Sequence, residues 1–451
     1  MASGLESIPR APGGLPFLGH VWPMSRGPLA FVKSLRATGD LVRVDLGTLP
    51  VVFVASPELA HAVMVTHGSS FEKGRLFDRV RGFVGDGLAT APSKLHRRHR
   101  RLMQPSFHRT RIAGYCDIIS DRARDLAASW EPGGTLAMEE EMARFSIGTL
   151  AATMFAAEIG TPVVDVVRRD TPTILKYILL RAVSPQFLDR LPLPSNRKFD
   201  AAAANLRQVI DDEIAATRRR DHADSPDLLS TLLAARDADT GETLTDVEVR
   251  DELVTILFAG TETVGSTMAW AFHEIARHPE VEKQLLAEID EVVGTRPVGF
   301  EDVPRLTYTR RVLDEVLRLH GVTLLMRRTT APVDLGGVTI PEGTEVAFSP
   351  YALLRDPVLY PEPGRFDPDR WLPERAADLP RAGFLPFGAG SRQCIGDAFA
   401  RAEMTITLAT VLARWQLRPV PGHTPREAIA AMPHPDRVPM TVHPRETAAP
   451  A

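Results

Sequence analysis

Between residues 251 and 278 the chain carries a helical run that is apolar almost all round: Leu253, Val254, Ile256, Leu257, Phe258, Val264, Met268, Trp270, Phe272 and Ile275 leave no continuous polar face. A helix of that kind is stable only when enclosed on every side, so the rest of the chain must wrap it. Glu262 and several threonines interrupt the run, which excludes a membrane span. Its centre, Ala259-Gly260-Thr261-Glu262-Thr263, goes against local helix preference. Such violations gather at functional sites. From the residues alone, a threonine bonded back to the preceding turn, with the glutamate paired elsewhere, is an equal reading.

Short alternating runs near 41–54 and 333–348 read as strands. Helical segments punctuated by proline or glycine fill most of the interval, among them 120–130, 145–157, 206–218 and 281–293. With 451 residues and 44% hydrophobic content, one large domain or two ordinary ones are possible. The two strand regions lie far apart and have to find each other. The expectation is therefore one intertwined, mainly α domain with a small β region over residues 1–445, then a frayed tail at 446–451. Polar loops are expected at 221–226 and 237–242.

Further on, Phe387-Gly-Ala-Gly-Ser-Arg-Gln-Cys394-Ile-Gly396 sets a cysteine in a glycine-punctuated loop ahead of a strongly helical run. Gly388, Gly390 and Gly396 let the backbone approach closely, a helix starting near Ile395 would turn its amides toward the sulfur, and Arg392 adds a cation. A thiolate needs such surroundings, so Cys394 reads as a metal ligand; an inert buried thiol is the alternative. Cys116, in Tyr115-Cys-Asp-Ile-Ile, has no partner spacing and reads as helix packing. Two cysteines exclude a disulfide framework and fit a reducing compartment. A net charge of −4 gives no global field for nucleic acid. The N-terminus shows neither a basic leader nor a spanning run, so a cytoplasmic protein without a membrane anchor is expected.

The spacing Phe-x-x-Gly-x-Arg-x-Cys-x-Gly resembles the haem-binding loop of the cytochrome P450 monooxygenases, and four motifs occur in that family's order. The resemblance implies a cytochrome P450 fold holding haem b, with Cys394 as axial thiolate and Phe387, Gly388, Arg392 and Gly396 around it. It makes Glu262 and Thr263 the acid–alcohol pair that manages protons on the oxygen side, in a helix that widens locally there. Glu315-Val-Leu-Arg318 alone permits a solvated pair. With Arg370 in Pro368-Asp-Arg370-Trp371 it resembles the family's glutamate–arginine–arginine network, one carboxylate serving two guanidinium forks. His96 and Arg100 match the positions that meet one haem propionate. Arg327 matches the strand arginine that meets the other, with Arg328 as the alternative register. Arg97, Arg98, Arg101 and Arg109 read as a solvated basic stripe, suited to docking an acidic ferredoxin.

The activity so implied is insertion of one oxygen atom from O2 into an apolar small molecule by a monomeric enzyme. Electrons would come from ferredoxin and ferredoxin reductase, since no flavin or iron–sulfur segment stands in the sequence. Implied substrate contacts are Phe77, Val80, Phe83, Phe258, Ala259, Thr323, Leu324 and Leu325, with 177–187 and 429–431. Leu324-Leu-Met-Arg-Arg328 and Met103-Gln-Pro-Ser-Phe-His108 are similar to actinobacterial terpene-oxidising members. That favours a terpenoid, with macrolide or other polyketide hydroxylation as the alternative. Rivals of other classes are a haem-thiolate isomerase or peroxygenase, which usually lacks the acid–threonine pair, and a non-catalytic haem sensor. One departure stands out. After Arg318-Leu319 many relatives have Pro-Pro, where this chain has His320-Gly-Val-Thr-Leu-Leu-Met326.

Overall fold

The central helix runs Asp246–Arg277 and starts ahead of its apolar run because Thr245 and Glu248 cap each other. Glu248 N donates to Thr245 Oγ1 at 3.3 Å and Thr245 N donates to the Glu248 carboxylate at 2.8 Å. Pro279 opens the next helix, Pro279–Val292. The computed structural model describes residues 4–155, 160–183, 186–219, 225, 227–237, 239–380, 382–429 and 432–445. Its long axis is this helix, packed on the helix Met138–Met154. A Cβ on Gly260 would come within 2.6 Å of Leu150 Cδ1, and one on Gly265 within 3.2 Å of Ala143 Cα. Close helix packing therefore accounts for the mid-helix glycine.

The local widening expected beside Glu262 and Thr263 is absent, since the segment is α-helical throughout. The hydroxyls of Thr261, Thr263 and Thr267 donate to the carbonyls of Leu257, Ala259 and Thr263 at 2.7, 2.7 and 2.8 Å. Each bond ties a side chain to the carbonyl four residues back, an arrangement compatible with continuous α-helix. The helices Arg109–Ser129, Met138–Met154, Pro194–Arg218 and Pro279–Val292 cover most of the four expected helical segments; all begin earlier than expected, and the first, second and fourth stop short of the expected ends. Cys116 is buried in the first of them, its thiol pushed up to about 12 by burial and then by Asp117. It packs and does not react.

Strands β1 (Leu41–Leu46), β2 (Leu49–Val54), β3 (Phe71–Lys73) and β4 (Thr135–Ala137) precede the central helix. After it come β5 (Leu325–Thr329), β6 (Val333–Leu335), β7 (Val338–Ile340) and β8 (Glu345–Phe348). The chain closes with β9 (Trp415–Pro419), β10 (Glu427–Ile429), β11 (Pro433–Pro435) and β12 (Pro439–Pro444). The main sheet has the order β1-β2-β8-β5-β3, with β2 and β8 parallel and Val51 opposite Glu345. The two strand regions thus meet, but only the 345–348 part of the second joins the first. Gly336 and Gly337, at φ 60° and 81°, fold 333–340 into a separate β6–β7 hairpin. Val52, Val54, Val346 and Phe348 pack on one face, and Val42, Val44, Val51, Phe53 and Ala347 on the other. Period-two alternation therefore buries the sheet on both sides.

A second sheet has the order β4-β12-β9, and β10 pairs with β11. The result is one mainly helical domain with small sheets at its margins. Among the described residues no helix is long and apolar enough to cross a membrane. The 446–451 tail, 156–157 of one expected helix, 221–224 and 226 of one polar loop and 238 of the other lie outside the described residues.

Candidate active site

The cysteine loop is shaped by glycine. Gly388 and Gly390 adopt φ of 70° and 72°, and a Cβ on Gly390 would sit 2.3 Å from the Met64 carbonyl oxygen. Cys394 N donates to Phe387 O at 2.9 Å, which closes the turn. The following helix, Asp397–Arg414, starts two positions later than expected, with Gly396 as its cap. Burial raises the Cys394 pKa; the Gly396 amide, Arg100 and Lys73 act against that rise while Asp397 adds to it. Though deep in the protein, the sulfur is exposed toward an internal cavity.

That cavity has a volume of about 1350 Å³. It exceeds the roughly 300–1,000 Å³ of a pocket built for one drug-sized ligand, so it has room for a macrocycle and a substrate together. Phe387, Gly388, Arg392, Cys394 and Gly396 form one side, and Phe258, Ala259, Glu262 and Thr263 of the central helix form another. Phe77, Val80, Thr323, Leu324 and Leu325 also line it. Phe83 does not: it stands behind Phe258, edge-on at 5.2 Å, and against Phe199 at 5.1 Å. Ile178 lines the cavity while Phe187 is exposed, and 184–185 and 430–431 lie outside the described residues. Met432, which the sequence did not single out, is a lining residue.

Three cations meet at the sulfur end, and among the described residues none has a carboxylate within ion-pair distance: Lys73, Arg327 and Arg392. Burial, then the charges of Arg327 and Arg392, push the Lys73 pKa well down. Burial and Arg392 lower Arg327 to about 10, and burial first of all lowers Arg392 to about 10. Arg327 is buried and Lys73 and Arg392 are half-buried, and cations crowded together away from bulk water are costly unless an anion joins them. The two propionates of haem are such anions, and a thiolate-bearing loop lies beside them, so the residues present fit haem.

Arg327, not Arg328, faces this cavity. Arg328 is taken up by Asp78 and Glu345, both at 2.7 Å. Sequence reasoning passed over Lys73, for a lone lysine at the end of a short strand carries no sign of what it faces. The register reveals it, because β3 and β5 pair with Lys73 opposite Arg327, on the same face. His96 and Arg100 do not line this cavity. With Arg97, Arg101, His108 and Arg111 they line a separate hollow of about 910 Å³ on the other side of the loop. Burial and the charges of Arg392 and Lys73 hold His96 down at about 3.

Of the arginine stripe, Arg97, Arg101 and Arg109 are exposed as expected and Arg98 is half-buried, but two of the four have acidic partners. Arg98 pairs with Glu248 at 2.6 Å and Glu242 at 3.0 Å, Arg101 pairs with Asp237 and Asp239, and Arg109 lies over the Phe300 ring.

Glu315 and Arg318 are fully buried, which excludes a solvated pair. Arg318 Nε and Nη2 reach the two Glu315 oxygens at 2.9 Å each, and Arg370 Nε reaches Oε1 at 3.4 Å. Asp367 N and Trp371 Nε1 add donors at 3.0 and 3.1 Å. Thr263 Oγ1 donates to Ala259 O, the back-bonded arrangement, and keeps its lone pairs for the cavity.

A Cytochrome P450 family model matches residues 9–437. The chain is 44% identical to cyclooctat-9-en-7-ol 5-monooxygenase of Streptomyces melanosporofaciens over 92% of this chain and 90% of that protein. It is 40% identical to pentalenene oxygenase of Streptomyces avermitilis over 95% of each. The crystal structure of the cytochrome P450DA heme domain superposes with a TM-score of 0.86 over 97% of this chain and 98% of that one, at 24% identity. That last likeness concerns the fold alone. Sequence and fold agree with the chemistry of the cavity, and the chain belongs to the cytochrome P450 family, as a monooxygenase that holds haem b by the Cys394 thiolate.

Proposed function

We propose that the enzyme oxygenates a cyclic terpenoid, as a monomer reduced by ferredoxin and its reductase. The observation that carries this reading is the division of the cavity. Lys73, Arg327 and Arg392, with no carboxylate at ion-pair distance among the described residues, group at the sulfur end, while Phe77, Val80, Phe258, Leu324, Leu325 and Met432 line the cavity elsewhere. Burying apolar ligand area there is worth ~25 cal/mol per Å², whereas an unpaired ligand charge would lose several kcal/mol. Two relatives are named for oxygenating cyclooctat-9-en-7-ol and pentalenene, which accords with it.

Haem, when bound, supplies the oxidation of an unactivated C–H bond, and Cys394 strengthens it by donating electron density. Lys73, Arg327 and Arg392 would neutralise its propionates, and Arg100 supports the cysteine loop, where its Nη1 donates to Gln393 O. Thr263, its own proton held by Ala259 O, accepts from a water and orders it beside Glu262, which passes protons inward. Thr263→Ala should keep haem and substrate binding but lower the coupling of electron use to product about 10-fold or more, the difference appearing as peroxide. Full coupling in that variant would remove the role.

Ferredoxin docks on the concave basic surface behind the cysteine loop. There Arg97 and Arg111 have no carboxylate at ion-pair distance among the described residues. Sesquiterpenes, macrolactones and fatty acids, titrated optically and then turned over with ferredoxin and reductase or with peroxide alone, test the whole reading. A cyclic terpene is expected to shift the ferric haem toward high spin and to be oxidised with ferredoxin, more slowly as salt rises. Product from macrolactones alone would overturn the substrate, and equal turnover with peroxide would overturn the partner.

A further inference from the structure

His320 stands where three pieces of cavity lining converge. It follows the helix Thr307–Leu319 and is 6% exposed. Its ring stacks on Trp270 of the central helix, centroids 4.0 Å apart and planes 3° from parallel. Nδ1 lies 3.1 Å from Glu427 Oε1 on β10, and Nε2 lies 3.4 Å from Glu274 Oε1 on the central helix. Glu427 also accepts from Tyr351 Oη at 2.5 Å and Arg355 Nη2 at 3.4 Å. The β10–β11 hairpin is fastened to the same helix farther along. Trp270 Nε1 donates to Pro433 O at 2.7 Å, and Ser266 Oγ lies 3.2 Å from His434 Nδ1.

Met432, beside that hairpin, lines the cavity, as do Thr323, Leu324 and Leu325 just beyond His320. The third wall is the central helix itself. One imidazole therefore links all three. A proline, which many relatives have at this point, has neither ring nitrogens to meet two carboxylates nor an aromatic face for Trp270.

We propose that His320, together with Trp270, Glu274 and Glu427, is a positioning residue for substrate specificity. By holding the β10–β11 hairpin and the 322–325 segment against the central helix, it sets the shape of the chamber and hence which substrate carbon is presented toward the Cys394 side. The inference rests on reading this cavity as the substrate chamber.

His320→Phe keeps the stack on Trp270 and removes both contacts to carboxylates. Glu427→Gln, on a side chain 24% exposed, removes one charge from the hairpin and carries the test if the first variant does not fold. The readout independent of any assumed substrate is the ratio of affinities for 1-phenylimidazole and 4-phenylimidazole on the holoenzyme. It should change about 5-fold or more in either variant, since each loses a hydrogen bond to a charged group. Haem content and the carbon monoxide spectrum should stay as in the unmodified enzyme. The double variant should change the ratio no further than one single variant does, and His320→Gln should recover part of the change.

With a terpene substrate, the proportions of products oxidised at different carbons should shift in the same variants. Unchanged ratios and product proportions in both single variants would overturn the inference. An unmodified enzyme that oxidises no terpene would overturn the substrate reading alone, because the phenylimidazole ratio still decides this one.

Discussion

Replacing Cys394 with serine should abolish the red-shifted carbon monoxide complex of the ferrous enzyme and, with it, all monooxygenase turnover. A serine hydroxyl at this position is not ionised and cannot supply the electron density that a thiolate donates. The loop itself should survive. The Cys394 amide, not its sulfur, makes the bond to Phe387 O, and the close approach at Gly390 does not involve the side chain. The measurement is the difference spectrum on carbon monoxide binding, with circular dichroism as the control for folding. A serine variant that keeps the thiolate spectrum would withdraw Cys394 as the ligand.

Glu315→Ala should be nearly as severe by another route. The carboxylate receives Arg318 in a two-point grip, Arg370, the Asp367 amide and the Trp371 indole. Removing it leaves two buried guanidinium groups facing each other. Arg318 still reaches the carbonyls of Leu354, Pro363 and Arg365, so it cannot turn away to solvent. Breaking such a buried network costs about 3–5 kcal/mol, a large share of the roughly 5–15 kcal/mol that keeps a protein folded. The expected result is little or no haem-loaded protein and a melting temperature lowered by several degrees. Normal haem content in this variant would show that the network is dispensable.

The features legible in the sequence are those whose cause is local. The cysteine loop announces itself because its glycines, arginine and thiol lie within ten positions, and Glu315 with Arg318 because one helical turn brings them together. The capping pair Thr245 and Glu248 was equally local, and reading it would have placed the start of the central helix correctly. Gly336-Gly337 likewise marks the turn that splits the second strand region.

What stayed hidden depends on partners far away. The placing of Lys73 opposite Arg327 follows from the β3–β5 register, and the loss of Arg98 and Arg101 as free charges follows from acids in the 237–248 region. Neither has a signature near the residue concerned. The identity of His320 was plain as a departure, but its meaning needed Trp270, Glu274 and Glu427 in place around it.

The pairing of β2 with β8 and of β4 with β12 joins parts of the chain about 300 residues apart, with consequences for how the domain is made. At synthesis rates of about 5–20 residues per second, β2 waits on the order of 15–60 s for β8 to emerge, with one edge open to other chains. Lys73 waits nearly as long for Arg327. The thiolate loop comes later still, and β12 closes the second sheet last. A nascent chain therefore carries Lys73 and Arg327 well before it owns Arg392 and the sulfur. Productive haem capture has to be a late event in biosynthesis, and the yield of active enzyme should depend more on haem supply and chaperone protection at that stage than on the final stability of the fold.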